Sequence, residues 1–204
     1  MDDEMKTVDF FFDFMSPFAY LAHQRLPQLV DKFGYGISYK PIDLKAAKLA
    51  AGNTGPANVQ IPVKIRYLLV DLTRWAERYG VPFKMPKVPS FDSARANKGT
   101  FFAIERGRAR DYVTHVWRES YGSGGSIGSE DLLKDVARQM DWSPQEFLDF
   151  TQSDAAERLY EQTNKEAHSR GVFGVPIMMV GENMWWGNDR LDFLEEYLIA
   201  QCSR

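Results

Sequence analysis

Ser16 stands immediately before Pro17 and a run of helically spaced apolar residues, which puts a hydroxyl at the amino end of a helix. The unbonded amides of a first helical turn, with the dipole behind them, favour an anion there by about 0.3 to 1 kcal/mol. A charge-assisted hydrogen bond from the hydroxyl adds about 1.5 to 3 kcal/mol. At about 1.36 kcal/mol per pKa unit, these effects lower a thiol held at that point from about 8.5 by roughly one to two units, after desolvation losses. The chain cannot supply the sulfur itself: Cys202 is its single cysteine, so an internal disulfide, a thiolate metal cage and a dithiol pair are all excluded. Serine before proline is equally a common helix opening that needs no function. A second cluster, Trp185-Trp186-Gly187-Asn188-Asp189-Arg190, joins two large aromatics to an amide and a carboxylate where a strand gives way to a helix. It suits the zwitterionic end of an amino acid, with the carboxylate on the helix amides and the ammonium on Asp189. Simple N-capping by Asn188 and Asp189 explains the same residues equally well.

The elements that must position these groups follow from apolar spacing. Thr7 to Phe14 is nearly continuous and aromatic, which predicts a central strand covered on both faces. The helix after Pro17 runs towards Gly34, with Pro27 predicted to kink it. Ile37 to Leu44 alternates and completes a βαβ unit. From Lys45 the character is helical: Leu68 to Tyr79 ended by Gly80 and Pro82, then stretches around Phe101, Tyr112 to Trp117, Leu132 to Val136, and Phe147 to Phe150 after Ser143-Pro144. A charged amphipathic helix from Asp154 to about Ser169 comes next. Ile177 to Val180, a turn at Gly181-Glu182-Asn183, a strand through Trp186 and a last helix from about Arg190 then close the chain.

A βαβ half and a ββα half, with an X-Pro peptide just before the first strand of the second, form the thioredoxin arrangement. The fold class predicted is α/β: a discontinuous thioredoxin-like domain of residues 1–45 and 151–204, carrying an all-helical insertion of residues 46–150 that lines a cleft. In that context Pro176 is expected to be cis, which turns the backbone of Val175 outward to pair with an extended peptide. For the dipeptide alone, a trans turn proline is the commoner state. Redox members of this fold open the first helix with two cysteines spaced by two residues. Ser16 and Ala19 hold those places here, so dithiol exchange is excluded.

These blocks carry a family resemblance along nearly the whole chain. Phe12-Asp13-Phe14-Met15-Ser16-Pro17-Phe18-Ala19-Tyr20-Leu21, Gly52-Asn53-Thr54-Gly55-Pro56, Phe173-Gly174-Val175-Pro176 and Trp185 to Leu191 closely resemble the 2-hydroxychromene-2-carboxylate isomerases, relatives of kappa-class glutathione transferases and DsbA-like proteins. The resemblance implies a cytoplasmic, homodimeric enzyme that uses glutathione in a step of naphthalene and related aromatic degradation. By it, Ser16 is the catalytic serine that orients and activates the glutathione sulfur. Val175, Pro176, Trp186, Gly187, Asn188 and Asp189 hold the tripeptide, and Lys48, Asn53 and Asn58 face an aromatic carboxylate substrate. The family commonly has an arginine just after the residue matching Asn58, where this chain has Val59; Lys64, Arg66 and Arg95 are candidates for the missing cation.

The remaining patterns are weaker. A net charge of -3 leaves no cationic excess for nucleic acid or an anionic membrane surface, and Met1-Asp2-Asp3-Glu4 is acidic where a signal peptide is basic. No metal site is expected. Gly122-Ser123-Gly124-Gly125-Ser126 has no following Gly-Lys-Ser/Thr and reads as an interhelical loop, and Arg106, Arg108 and Arg110 read as a solvated face. Ser16 lacks a Gly-x-Ser-x-Gly elbow, and His23, His115 and His168 offer no dyad, so they read as surface or packing residues. Cys202 reads as an incidental thiol. Two rivals remain: a kappa-like transferase that consumes glutathione, and a non-catalytic peptide binder in which Ser16 only caps its helix.

Overall fold

The computed structural model describes residues 6–86 and 92–202; the acidic opening Met1-Asp2-Asp3-Glu4 lies outside them. β1 (Thr7–Phe12) feeds α1 (Pro17–Asp31), which returns through β2 (Gly36–Pro41). There follow α2 (Leu44–Ala50), a 3-10 turn (Asn58–Gln60), α3 (Pro62–Tyr79), α4 (Ala94–Glu105) and α5 (Ala109–Trp117). A π-helical turn (Arg118–Gly122), α6 (Glu130–Gln139), α7 (Pro144–Thr151) and α8 (Asp154–Ser169) lead to β3 (Ile177–Val180), β4 (Asn183–Trp186) and α9 (Leu191–Cys202). The sheet order is β2-β1-β3-β4, with β1 parallel to β2 and antiparallel to β3.

β1 is central, and its aromatic content is explained by what covers it. Phe10 and Phe12 lie in the main core with Trp117 from α5, their rings 6.2 and 5.3 Å from its indole. Phe11 points to the opposite face, among Ile42, Ala167, Val172 and Ile177. The strand stops at Phe12 rather than reaching Phe14, because the next residues leave the ladder for side-chain partners on α4: the Phe14 N–H donates to Asn97 Oδ1 at 3.2 Å. β2 likewise ends at Pro41, not Leu44; Asp43 caps α2 instead, accepting the Lys45 and Ala46 N–H groups at 2.8 and 3.0 Å. α1 continues through Pro27 without interruption, and Gly34 beyond its end takes a left-handed φ of 71°. Among the described residues no helix is long and apolar enough to cross a membrane.

The helices between β2 and β3 pack on one another through a cluster of aromatics, while Trp117 carries their contact to β1. Phe102 and Tyr112 surround Trp142 and Phe147, with centroids 5.0 to 6.0 Å apart. Gly99 of α4 lies against this cluster, where an added Cβ would overlap the Tyr112 hydroxyl and stand 2.6 Å from the Phe147 ring. A second tie is polar. His23 of α1, buried, meets the Tyr39 hydroxyl of β2 at 3.0 Å, while Arg110 of α5 makes two bonds of 2.8 and 2.7 Å to Asp31 at the end of α1. Burial, helped by the charge of Arg110, holds the His23 imidazole down to about 3.

Two outcomes follow from this packing. Gly99→Ala is expected to destabilise the protein by about 1 to 3 kcal/mol in urea unfolding despite alanine's better helix propensity, because the overlap involves rings on two other helices. The folded state keeps His23 neutral, whereas the unfolded chain protonates it below its ordinary value of 6.5. That stability is therefore present above about pH 6.5 and is lost as pH falls towards 3. In thermal melts between pH 7 and 4.5, His23→Gln should lose less stability on acidification than the unsubstituted protein.

Candidate active site

Ser16 caps α1. Its Oγ accepts the Ala19 N–H at 3.2 Å, its own N–H donates to the Asp13 carbonyl at 2.9 Å, and it is only 6% exposed. Since Oγ is an acceptor in that bond, the hydroxyl proton remains available to donate, and it has no acceptor among the described residues. Pro17 at the first helical position has no N–H. The Phe18 N–H makes no backbone bond among the described residues, so one amide of the turn stays open beside the hydroxyl. Serine here is both a cap and a hydroxyl with a free proton.

The turn leading into Ser16 is built around a buried carboxylate that patterns in the sequence do not single out. Asp13, 1% exposed, receives the Met15 N–H at 3.0 Å, the Leu44 N–H at 3.0 Å, Asn97 Nδ2 at 3.1 Å and the Ser93 hydroxyl at 2.5 Å. Burial raises the Asp13 carboxyl above its ordinary value, while the bonds from Ser93, Leu44, Met15 and Asn97 pull the other way. Asn97, fully buried, also donates to the Ile42 carbonyl at 3.2 Å and the Tyr160 hydroxyl at 3.1 Å. On the other side, the Tyr121 hydroxyl in the π-helical turn donates to the Met15 carbonyl at 2.6 Å. Asp13 and Met15 also line a cavity of about 190 Å³ with Asp43, Lys45, Asp92 and Ser93, which is too rich in carboxylates to receive an anion.

The second cluster lies on β4 and just after it. The Val175–Pro176 peptide is cis, and the Pro176 carbonyl accepts the Gly187 N–H at 2.9 Å. Val175 makes no backbone hydrogen bond among the described residues. Trp186 is half exposed and meets the Phe173 ring edge-on at 4.9 Å; Gly174 lies so close beneath that an added Cβ would stand 3.1 Å from the indole nitrogen. Gly187, at φ 108°, begins a 3-10 turn (Asn188–Arg190) that carries no side-chain cap. Asn188 and Asp189 therefore do not serve as caps of that turn. The Asn188 carbonyl accepts the Tyr79 hydroxyl at 3.1 Å, its Nδ2 is buried without a partner, and Asp189 pairs with Arg190 at 2.5 Å.

The residues expected at an aromatic substrate sit in a separate, exposed stretch. The Lys48 carbonyl accepts the Asn53 N–H at 2.9 Å, and Lys64 Nζ donates to Asn58 Oδ1 at 3.2 Å. These bonds stay within the segment, and none joins it to Ser16. Of the three candidate cations, Lys64 is beside Asn58, Arg66 turns back on the Pro62 carbonyl at 3.3 Å, and Arg95 is paired with Glu130 at 2.9 Å. Val59 is exposed.

This geometry defines a thioredoxin-type site with a serine at the helix end, and residues 7–199 match the family model of the DsbA-like thioredoxin domain. A probable DsbA oxidoreductase of Streptomyces coelicolor shares the fold at a TM-score of 0.78 with 16% identity, covering 97% of this chain and 89% of that one. Much nearer is 2-hydroxychromene-2-carboxylate isomerase of Pseudomonas putida, 43% identical over 96% of this chain and 95% of its own. The enzyme of that name from Sphingobium xenophagum is 40% identical over 95% of this chain and 98% of its own. A solved 2-hydroxychromene-2-carboxylate isomerase structure superposes at a TM-score of 0.91 with 42% identity, covering 96% of both chains. The chain belongs to the family of 2-hydroxychromene-2-carboxylate isomerases.

Proposed function

We propose that the protein is a glutathione-dependent isomerase that interconverts 2-hydroxychromene-2-carboxylate, or a close analogue, and trans-o-hydroxybenzylidenepyruvate. The observation that carries this reading is the Ser16 hydroxyl, held by the Ala19 amide with its proton undirected, where redox relatives of the fold carry a cysteine. The groups of the second cluster fit the tripeptide: a main chain at Val175 without backbone partners among the described residues and a buried Asn188 Nδ2 without a partner. On this reading Val175 and Pro176 present a short backbone edge, Trp186 and Gly187 form the wall, and Asn188 and Asp189 receive the amino-acid end. Bound glutathione supplies a thiolate whose reversible addition makes the conjugated carbon–carbon bond single, free to rotate, before it is restored.

The chain's own work is electrostatic. The Ser16 O–H donates to the negative sulfur, while the open Phe18 amide and the dipole of α1 lower the cost of that charge. Ser16 thus serves as a donor, not as an acyl nucleophile. Lys48, Asn53 and Asn58 would hold the organic carboxylate, with Lys64 beside Asn58 as the cation in place of the arginine absent at Val59. The residue bounds of the two parts, 1–45 with 151–204 and 46–150, belong to the same proposal. So do a homodimer and a cytoplasmic setting in aromatic hydrocarbon catabolism. Val63, Tyr67 and Val70, exposed along one stripe of α3, support the dimer.

The test is a spectrophotometric assay of a hydroxychromene carboxylate with and without glutathione. Turnover should require glutathione and leave its concentration unchanged after many cycles; steady consumption would instead indicate a conjugating transferase. Ser16→Ala should lower kcat about tenfold to a thousandfold, or about 1.4 to 4 kcal/mol of transition-state stabilisation. Near-normal turnover in that variant would remove Ser16 from the mechanism. Gly174→Ala, which pushes on the Trp186 indole, should raise the KM for glutathione about threefold or more with kcat little changed, the signature of lost uniform binding.

A further inference from the structure

We infer that the helices between β2 and β3, not the sheet, set the position of the Ser16 hydroxyl by holding the three residues before it, and that Asp13 is the main positioning residue of the three. The inference rests on the reading of Ser16 as the hydroxyl that serves the sulfur. Each of the three residues before Ser16 is bonded to a helical element of that stretch or to the residues flanking it. Asp13 is held by Ser93 and Asn97, Phe14 by Asn97, and Met15 by Tyr121. The sheet ladder has already ended at Phe12.

Asp13 joins the two ends of this arrangement. Its carbonyl accepts the Ser16 N–H at 2.9 Å and its carboxylate accepts the Met15 N–H at 3.0 Å, so one residue fixes the turn by both main chain and side chain. Four donors converge on the two carboxylate oxygens, and each oxygen has at least one. An amide in place of the carboxylate would set an N–H₂ against at least one of those donors, leaving buried polar groups unpaired and the turn free to shift. A displacement of a fraction of an ångström at Ser16 is enough to misdirect a hydroxyl that must meet one sulfur atom. Asp13 touches neither reactant in this account; it acts through Ser16.

The experiment compares Asp13→Asn and Tyr121→Phe, alone and combined with Ser16→Ala. The first readout needs no ligand: amide hydrogen exchange at Ala19, whose N–H bonds to Ser16 Oγ, against Phe10 in the central strand as control. Both variants should speed exchange at Ala19 by about tenfold and leave Phe10 within twofold. The second readout is kinetic. Asp13→Asn should lower kcat about tenfold to a hundredfold with the KM for glutathione within threefold, and should cost less than about twofold further in the Ser16→Ala background, because the two act as one unit. Tyr121→Phe, which removes one hydroxyl and no charge, carries the test should Asp13→Asn fail to fold. Unchanged exchange at Ala19 in the folded variants, or losses that multiply with that of Ser16→Ala, would overturn the inference. Faster exchange at Ala19 in a protein with no glutathione-dependent isomerisation would sink the functional reading and leave the positioning role intact.

Discussion

A carboxylate taken out of water survives only where donors replace the water, and the turn before Ser16 is organised by that constraint at Asp13. Its partners arrive from places far apart in the chain: Leu44 at the start of α2, Ser93 and Asn97 at the head of α4, and Met15 next door. Asn97 passes the requirement on to Ile42 and Tyr160, so the residue after β2, α4 and α8 are drawn to the same point. A network of this kind has little tolerance for partial satisfaction, which makes the local geometry unique rather than merely stable. The helical part and the sheet are thus joined at the residue that leads into Ser16.

The two candidate clusters are built on different principles. The Ser16 turn is buried, with hydrogen bonds defining it on both sides. The second cluster is open, with an exposed Trp186 resting on Phe173 and Gly174 and a main chain at Val175 without backbone partners among the described residues. On the proposed reading that division suits a borrowed nucleophile: a tripeptide would need an accessible place to dock, while the charge on its sulfur would need a fixed donor. With Ser16 and Ala19 in place of a cysteine pair, dithiol exchange is excluded while the electrostatics of the helix end remain.

Much of this was legible because it is local. The strand–helix transition at Ser16-Pro17, the helix start at Ser143-Pro144, the helix end at Gly80 and the β3–β4 hairpin each depend on neighbours within a few residues. Errors arose where distant partners decide. Phe14 has the composition of a strand residue, yet Asn97 takes its amide; Asp43 ends β2 by capping a helix that the apolar pattern did not announce. Asp13 is silent in the sequence, because a lone aspartate before Phe-Met-Ser-Pro carries no sign that Ser93, just before α4, and Asn97, in its first turn, close over it. For Lys48, Asn53 and Asn58 only the resemblance pointed to a role; they lie together in sequence but share no bond with Ser16.

The placing of β1 between β2 and β3 has a consequence during biosynthesis. As the chain leaves the ribosome, Phe10 can find its β2 neighbour Tyr39 early, but its other neighbour, Met178, emerges only after every intervening helix has been made. Until then one side of the most aromatic strand offers unpaired amides and carbonyls to any other nascent chain. The helices made in the interval carry Trp117, which packs on the face of that strand, so they can shield its rings while the edge waits. The intervening helices would then act as an intramolecular chaperone for the sheet.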